Sequence, residues 1–193
     1  MDLPPKIRAF VAIRLSADID RALAGLIDEL RIPGDGISWS RAANLHLTLR
    51  FLGPAVDSNL VAPLAQSLRA VSQHSAPFVV FARGIGGFPD LARPRVIWVG
   101  LESEALIRLA SEVEAAAVRT GFAPERRPFS PHLTLGRVKS LKGWARLRAT
   151  LEAAWERDFG SSRIDSMALY ESRLSPQGSI YREIERFAFA APG

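Results

Sequence analysis

A chain of 193 residues, 48% apolar and 23% charged, suits one ordinary globular domain whose core is large enough to need no covalent staple. It contains no cysteine, which excludes disulfides, thiolate nucleophiles and cysteine-ligated zinc together. The net charge of +5 suits a polyanionic partner such as nucleic acid, although only three of the 25 basic residues are lysine, and so strong an arginine preference also follows from genomic base composition.

The N-terminal Met1-Asp2-Leu3-Pro4-Pro5-Lys6 lacks the basic-then-apolar pattern of a signal peptide, and no apolar run approaches the ~18 residues of a membrane span. A cytoplasmic protein with no membrane association is expected. Residues 7–15 read as a strand. Ser16 can cap a helix with apolar residues at Ile19, Leu23, Leu26, Ile27 and Leu30, closed by a loop at 32–36. An extended stretch runs from Ile37 to Leu52, broken near 42–44 and ended by Gly53-Pro54. Leu60, Val61, Leu64, Leu68 and Val71 mark a second helix, in which Pro63 is tolerable because it falls in the first turns. Residues 78–81 form a strand and Gly84-Ile85-Gly86-Gly87 a turn-rich exit.

The second half repeats the order. Arg95–Leu101 is a strand, Ser103 can cap a helix carrying Leu106, Leu109, Val113 and Ala117, and Gly121 stops it. Phe129–Val138 is again a strand, followed by a helix with Leu147, Leu151 and Trp155 on its apolar face. Extended segments at about 163–174 and 180–189 are joined by Ser175-Pro176-Gln177-Gly178. Both halves therefore run strand, helix, strand, helix, strand. This predicts one α+β or α/β domain over 1–193 built from a duplicated unit, with lobes at about 1–90 and 91–193.

The duplication carries a repeated word. His46-Leu47-Thr48-Leu49 and His132-Leu133-Thr134-Leu135 are identical and stand in the corresponding strand of each half. Side chains alternate along a strand, so His46 shares a face with Thr48, and His132 with Thr134, while the leucines anchor the other face. A lone His-x-Thr-x is better read as a structural histidine beside a β-former. A given histidine meets a threonine two places on by chance only roughly 2% of the time, and two of this chain's three histidines do so. His74, at a helix end, repeats nothing.

Two imidazoles across a pseudo-twofold groove suit phosphodiester hydrolysis. One can be neutral and one protonated near neutral pH, and in-line attack puts nucleophile and leaving group on opposite sides of phosphorus. Threonine hydroxyls can donate to the non-bridging oxygens. Two histidines are too few for a zinc site without distant carboxylates, so no metal and no cofactor are expected. There is no GxSxG elbow, and Gly84–Gly87 is not a phosphate loop.

These motifs resemble those of the two-histidine (2H) phosphoesterases, above all the RNA 2′,3′-cyclic phosphodiesterases also called 2′-5′ RNA ligases. The likeness covers nearly the whole chain. It is carried by Phe10–Ile13, Asn44–Gly53, Gly86–Pro89, Arg93–Gly100, Arg127–Arg137 and Gly178–Tyr181, with HLTLRFLG and PHLTLGR as its most specific blocks.

The resemblance implies an α+β, bilobal fold with an active-site cleft between two pseudo-twofold-related lobes, each an antiparallel sheet flanked by helices. It implies metal-independent hydrolysis of terminal 2′,3′-cyclic phosphates on RNA, tRNA fragments among them, to 2′-phosphomonoesters, and the reverse joining of RNA ends. It makes His46 the acid and His132 the base, an assignment the near-symmetric copies do not themselves fix. It suggests that Phe51 stacks near a base or ribose, against core packing as the ordinary alternative. It suggests that Arg137 holds the phosphate, against a solvated surface arginine.

By strict alternation Arg50, where the family commonly has lysine, lies on the face of His46 and Thr48. Arg127, with Arg126, extends a basic rim, and Tyr181 reaches the cleft. No obligate protein partner is expected. The competing readings are a phosphodiesterase of small cyclic nucleotides, a non-catalytic RNA-end binding module, and a structural protein whose histidines serve packing.

Overall fold

In the computed structural model, which describes residues 3–175 and 178–190, the apolar run near the N-terminus forms strand β1 (Lys6–Ile13). It is buried on both sides: Ala9, Val11 and Ile13 enter the main core, and Phe10 and Ala12 a smaller cluster. That is why residues 9–13 are continuously apolar rather than alternating. Helix α1 (Ala17–Leu30) buries all five of its periodic apolar residues. Ser16 stands at its N-cap position without a side-chain cap; instead its backbone N–H donates to the Ser162 hydroxyl at 2.8 Å. Next come β2 (Ile37–Trp39), a 3₁₀ turn at 42–44, β3 (Leu47–Asp57) and α2 (Val61–His74), with Pro63 in its first turn. The first half ends in β4 (Phe78–Phe88).

The second half follows with β5 (Val96–Glu102), α3 (Glu104–Arg119), β6 (His132–Val138), α4 (Trp144–Ala153), β7 (Asp158–Ile164), β8 (Ser166–Ser175) and β9 (Gly178–Ala188). All pairings are antiparallel. One sheet has the order β3-β1-β8-β9 and the other β2-β6-β5-β4-β7. With four α-helices among the described residues, the fold is α+β and two-lobed. Helices α2 and α3 pack on each other, α2 also on β8 and β9 and α3 on β3, while α1 packs on β7 and α4 on β4. No described helix is long and apolar enough to cross a membrane.

The duplicated unit is visible, but the lobes are not the two halves of the chain. β1 pairs with β3 across α1, and β5 pairs with β6 across α3. One later strand of each half then crosses over: β4 pairs with β5, and β8 pairs with β1. Each half completes the other half's sheet, so the boundary near residue 90 separates repeats in sequence and not lobes in space. One core cluster runs through both sheets and all four helices accordingly.

Three local expectations are corrected. Gly84–Gly87 is not a turn but the continuation of β4, carried past a register shift between Arg83 and Ile85 by Gly84 at φ 73°. Gly86 lies flat against Trp98, where a Cβ would overlap the indole ring. The segment 163–174 is not one strand, because the chain leaves β7 at Ile164 and enters the other sheet at Ser166. Trp155 lies beyond the end of α4 and is 61% exposed. Of the expected link between the last strands, Pro176 and Gln177 lie outside the described residues, while Ser175 and Gly178 on either side pair with each other.

Candidate active site

Both histidines are held the same way. Nδ1 of His46 lies 2.7 Å from the Asn44 carbonyl oxygen, and Nδ1 of His132 lies 2.7 Å from that of Ser130. A carbonyl only accepts, so Nδ1 carries the proton in each ring and Nε2 is left as the working nitrogen. This geometry needs a carbonyl two residues before the histidine, at the point where each motif strand begins.

The surroundings then differ. His46 is stacked on Phe10 at 4.8 Å, meets the Tyr181 ring edge-on at 5.0 Å, and its Nε2 accepts from the Thr48 hydroxyl at 3.1 Å. His132 meets Phe88 edge-on at 4.9 Å, and among the described residues its Nε2 has no hydrogen-bond partner. Burial lowers the pKa of both. That of His46 falls from 6.5 to about 4, with Arg14, Arg137 and His132 adding repulsion against the Asn44 bond. His132 is lowered by desolvation, with Arg137 again repelling its proton. The two rings thus sense each other and share one arginine, and in the free protein both favour the neutral form.

A β-bulge in each copy decides what else joins them. Ala12 pairs with Thr48 and Val11 with Arg50, so Leu49 is an extra residue. Trp98 pairs with Thr134 and Ile97 with Gly136, so Leu135 is extra in the same way. Alternation restarts one residue late. Phe51 and Arg137, five residues after their histidines, therefore return to the histidine face, while Arg50 and Gly136 turn to the helix side.

Arg50 accordingly does not share the face of His46 and Thr48. It is 8% exposed, its Nε lies 2.6 Å from Glu114 of α3, Nη1 is 3.5 Å from Glu125, and it also donates to the carbonyls of Phe51 and Ala123. It clamps β3 to α3 and to the loop before His132. Glu125, lowered by the amides of Arg127 and Arg126 and by Arg50, ties that loop together. In the second copy Gly136 leaves no room for such a side chain: a Cβ there would lie 2.8 Å from Cγ2 of Ile37.

Phe51 packs beside Phe10 and Tyr170, with the Arg8 guanidinium 4.4 Å above its ring. Arg137 is exposed, near both histidines, and in no ion pair among the described residues. Thr48, Phe51, Arg127 and His132 line one continuous groove of about 1420 Å³. Tyr181 belongs to the His46 side. The cluster thus brings together His46, Thr48, His132, Thr134, Phe51, Arg137 and Tyr181, leaves Arg127 on the rim, and withdraws Arg50 into the wall. Sequence reasoning missed Phe10, Phe88, Trp98 and Arg8 as parts of the site. Phe10 sits in the all-apolar stretch 9–13, with no period to reveal its face. The Gly86 that makes room for Trp98 signals that ring only once the strand register is known.

The chain matches the LigT-like phosphoesterase family model twice, over residues 13–98 and 99–181. It is 32% identical over 188 residues to an RNA 2′,3′-cyclic phosphodiesterase of Aquifex aeolicus, covering 94% of this chain and 96% of that one. It is 34% identical over 173 residues to one of Aeropyrum pernix, covering 89% and 97%. Among solved structures it resembles E. coli LigT complexed with 3′-AMP (TM-score 0.77, 28% identity, 95% and 98% covered). It also resembles a protein of Thermus thermophilus (TM-score 0.78, 29% identity, 95% and 98% covered).

Proposed function

The chain belongs to the LigT-like phosphoesterase family, and from that premise we propose that it hydrolyses 2′,3′-cyclic phosphate ends of RNA to 2′-phosphomonoesters by two-histidine acid–base catalysis without a metal. The observation that carries this is the matched pair of imidazoles, each with Nδ1 held on the carbonyl two residues before it, which leaves Nε2 as the working nitrogen of both rings.

The asymmetry between them supports the order of roles. His132 Nε2, with no partner among the described residues, takes a proton from water as the water oxygen attacks phosphorus. The P–O3′ bond breaks on the opposite side, and the His46 imidazolium gives its Nε2 proton to the leaving O3′. Burial among Phe10 and Tyr181 disfavours the charged ring, so the His46 imidazolium gives up its proton readily as O3′ leaves. The phosphate anion supplies what the free site lacks: beside His46 it offsets the burial and the repulsion of Arg14 and Arg137, and so favours the proton there. Arg137 holds the phosphate, and the Thr48 and Thr134 hydroxyls donate to its non-bridging oxygens as charge builds. With an RNA 5′-hydroxyl attacking phosphorus in place of water, the same displacement breaks P–O3′ and leaves a 2′-5′ linkage.

The test is hydrolysis of an RNA bearing a 2′,3′-cyclic phosphate end in the presence of EDTA. Activity should survive the chelator and be lost in His46→Ala and in His132→Ala. Full activity in either variant would refute the mechanism, and loss in EDTA would point to a metal.

A further inference from the structure

We propose that the groove beside His132 seats the RNA strand on the 5′ side of the reacting end, so that the site selects oligonucleotides over mononucleotides. This rests on the phosphodiesterase function proposed above. The groove of about 1420 Å³ begins at Thr48, Phe51 and His132 and continues along α3 between segments 88–96 and 138–141. Small-ligand pockets are roughly 300–1,000 Å³, so a terminal nucleotide at the histidines leaves much of this one unfilled.

Its remaining walls suit a nucleic acid strand. Ile107 and Leu141, two of the large apolar side chains left 56% and 46% exposed, line it together with Phe129. Flat apolar and aromatic surfaces accept any base. Arg93, Arg95 and Lys139 are exposed along the same groove, and none is in an ion pair among the described residues. The carboxylates that also line it, Glu114 and Glu125, are both engaged by Arg50. Its uncompensated charge is therefore positive, on exposed side chains above an apolar floor. A single strand presents the complement of this arrangement, with phosphates outward and bases inward.

The test measures binding and hydrolysis separately, on RNAs of one to five nucleotides. Anisotropy titrations use 2′-phosphate ends and kinetics use 2′,3′-cyclic phosphate ends. Affinity should tighten with length, and its logarithmic salt slope should steepen by about 0.7 for each added phosphate that is neutralised. In Arg93→Ala/Lys139→Ala the ratio of tetranucleotide to mononucleotide affinity should fall roughly tenfold, equivalent to about 1.4 kcal/mol. Ile107→Glu, an exposed change that adds a like charge to the strand's path, should lower the same ratio. Length-independent affinity in the unmutated protein, or a ratio that neither variant moves, overturns the groove assignment. Length-dependent binding without hydrolysis of any cyclic end would instead refute the proposed function and leave the groove as an RNA site.

Discussion

The buried position of His46 makes protein stability a reporter of the site, in the absence of any substrate. Its pKa falls from 6.5 to about 4, chiefly because burial between Phe10 and Tyr181 penalises the imidazolium. At about 1.36 kcal/mol per pH unit that is roughly 3 kcal/mol against the charged ring. The sign follows from proton counts. Between pH 6.5 and 4 the unfolded chain has bound a proton at His46 that the native state has not, so stability falls as the pH falls through this window and levels off below it. Going from pH 7 to pH 5, the loss from this one group is roughly 2 kcal/mol. His46→Gln keeps a neutral polar side chain at every pH and removes that dependence. Urea unfolding of the protein and of His46→Gln at pH 7 and pH 5, in low salt without phosphate, measures it. Groups common to both proteins cancel in the difference. The unmutated protein should lose roughly 2 kcal/mol more than the variant on going to pH 5. A stability difference that stays flat between the two pH values would refute the account of a desolvated, neutral His46.

The same pKa directions place the pH optimum of kcat/KM on the acid side of 6.5, since both free-protein histidines are lowered. The kcat profile should lie at higher pH, because the bound phosphate anion favours the imidazolium; coincident profiles would contradict this. Inorganic phosphate should likewise raise the His46 titration midpoint followed by NMR, and an unmoved midpoint would show that the anion binds elsewhere. Arg50→Gln strands Glu114 and Glu125 beside an unfilled site and should destabilise by roughly 3 kcal/mol in thermal or urea unfolding, with Arg50→Lys recovering part of the loss. A Gly86→Ala change drives a methyl into the Trp98 ring and should cost about 1–3 kcal/mol. It should also lower kcat through Phe88, which touches both Trp98 and His132.

Much of the fold was legible because its helices are amphipathic at the expected spacing: the apolar stripes of α1, α2 and α3 are the faces that are buried. The motif pair was legible because repetition in matched strands is independent of any packing detail. What sequence could not supply was register. Gly84–Gly87 carries every local sign of a turn, yet the partner strand β5 keeps it extended, and glycine is there for close approach to Trp98. The exchange of β4 and β8 between sheets is a pairing of distant segments that no local pattern encodes.

The bulges at Leu49 and Leu135 show why the two copies of one word yield an asymmetric site. Strict alternation assigns the histidine face to the residue four places on, Arg50 or Gly136. The extra residue reassigns it to the fifth, Phe51 or Arg137. One slip thus moves a buried clamp out of the cleft and puts an aromatic ring opposite an exposed guanidinium within it. On the mechanism proposed above, the repeat supplies two equivalent proton-transfer groups for the two ends of an in-line displacement. The residues just past each bulge distinguish those ends, with an apolar face on the His46 side and the positive charge of Arg137 near both rings. Exchanging Phe51 and Arg137 would keep both histidines and both threonines yet reverse that polarity. On the proposed function, the direction of the RNA in the cleft should therefore depend on these two positions more than on the motif itself, and the double exchange Phe51→Arg/Arg137→Phe should lower cleavage of a cyclic-phosphate end while a stability profile like that of the unmutated protein is kept.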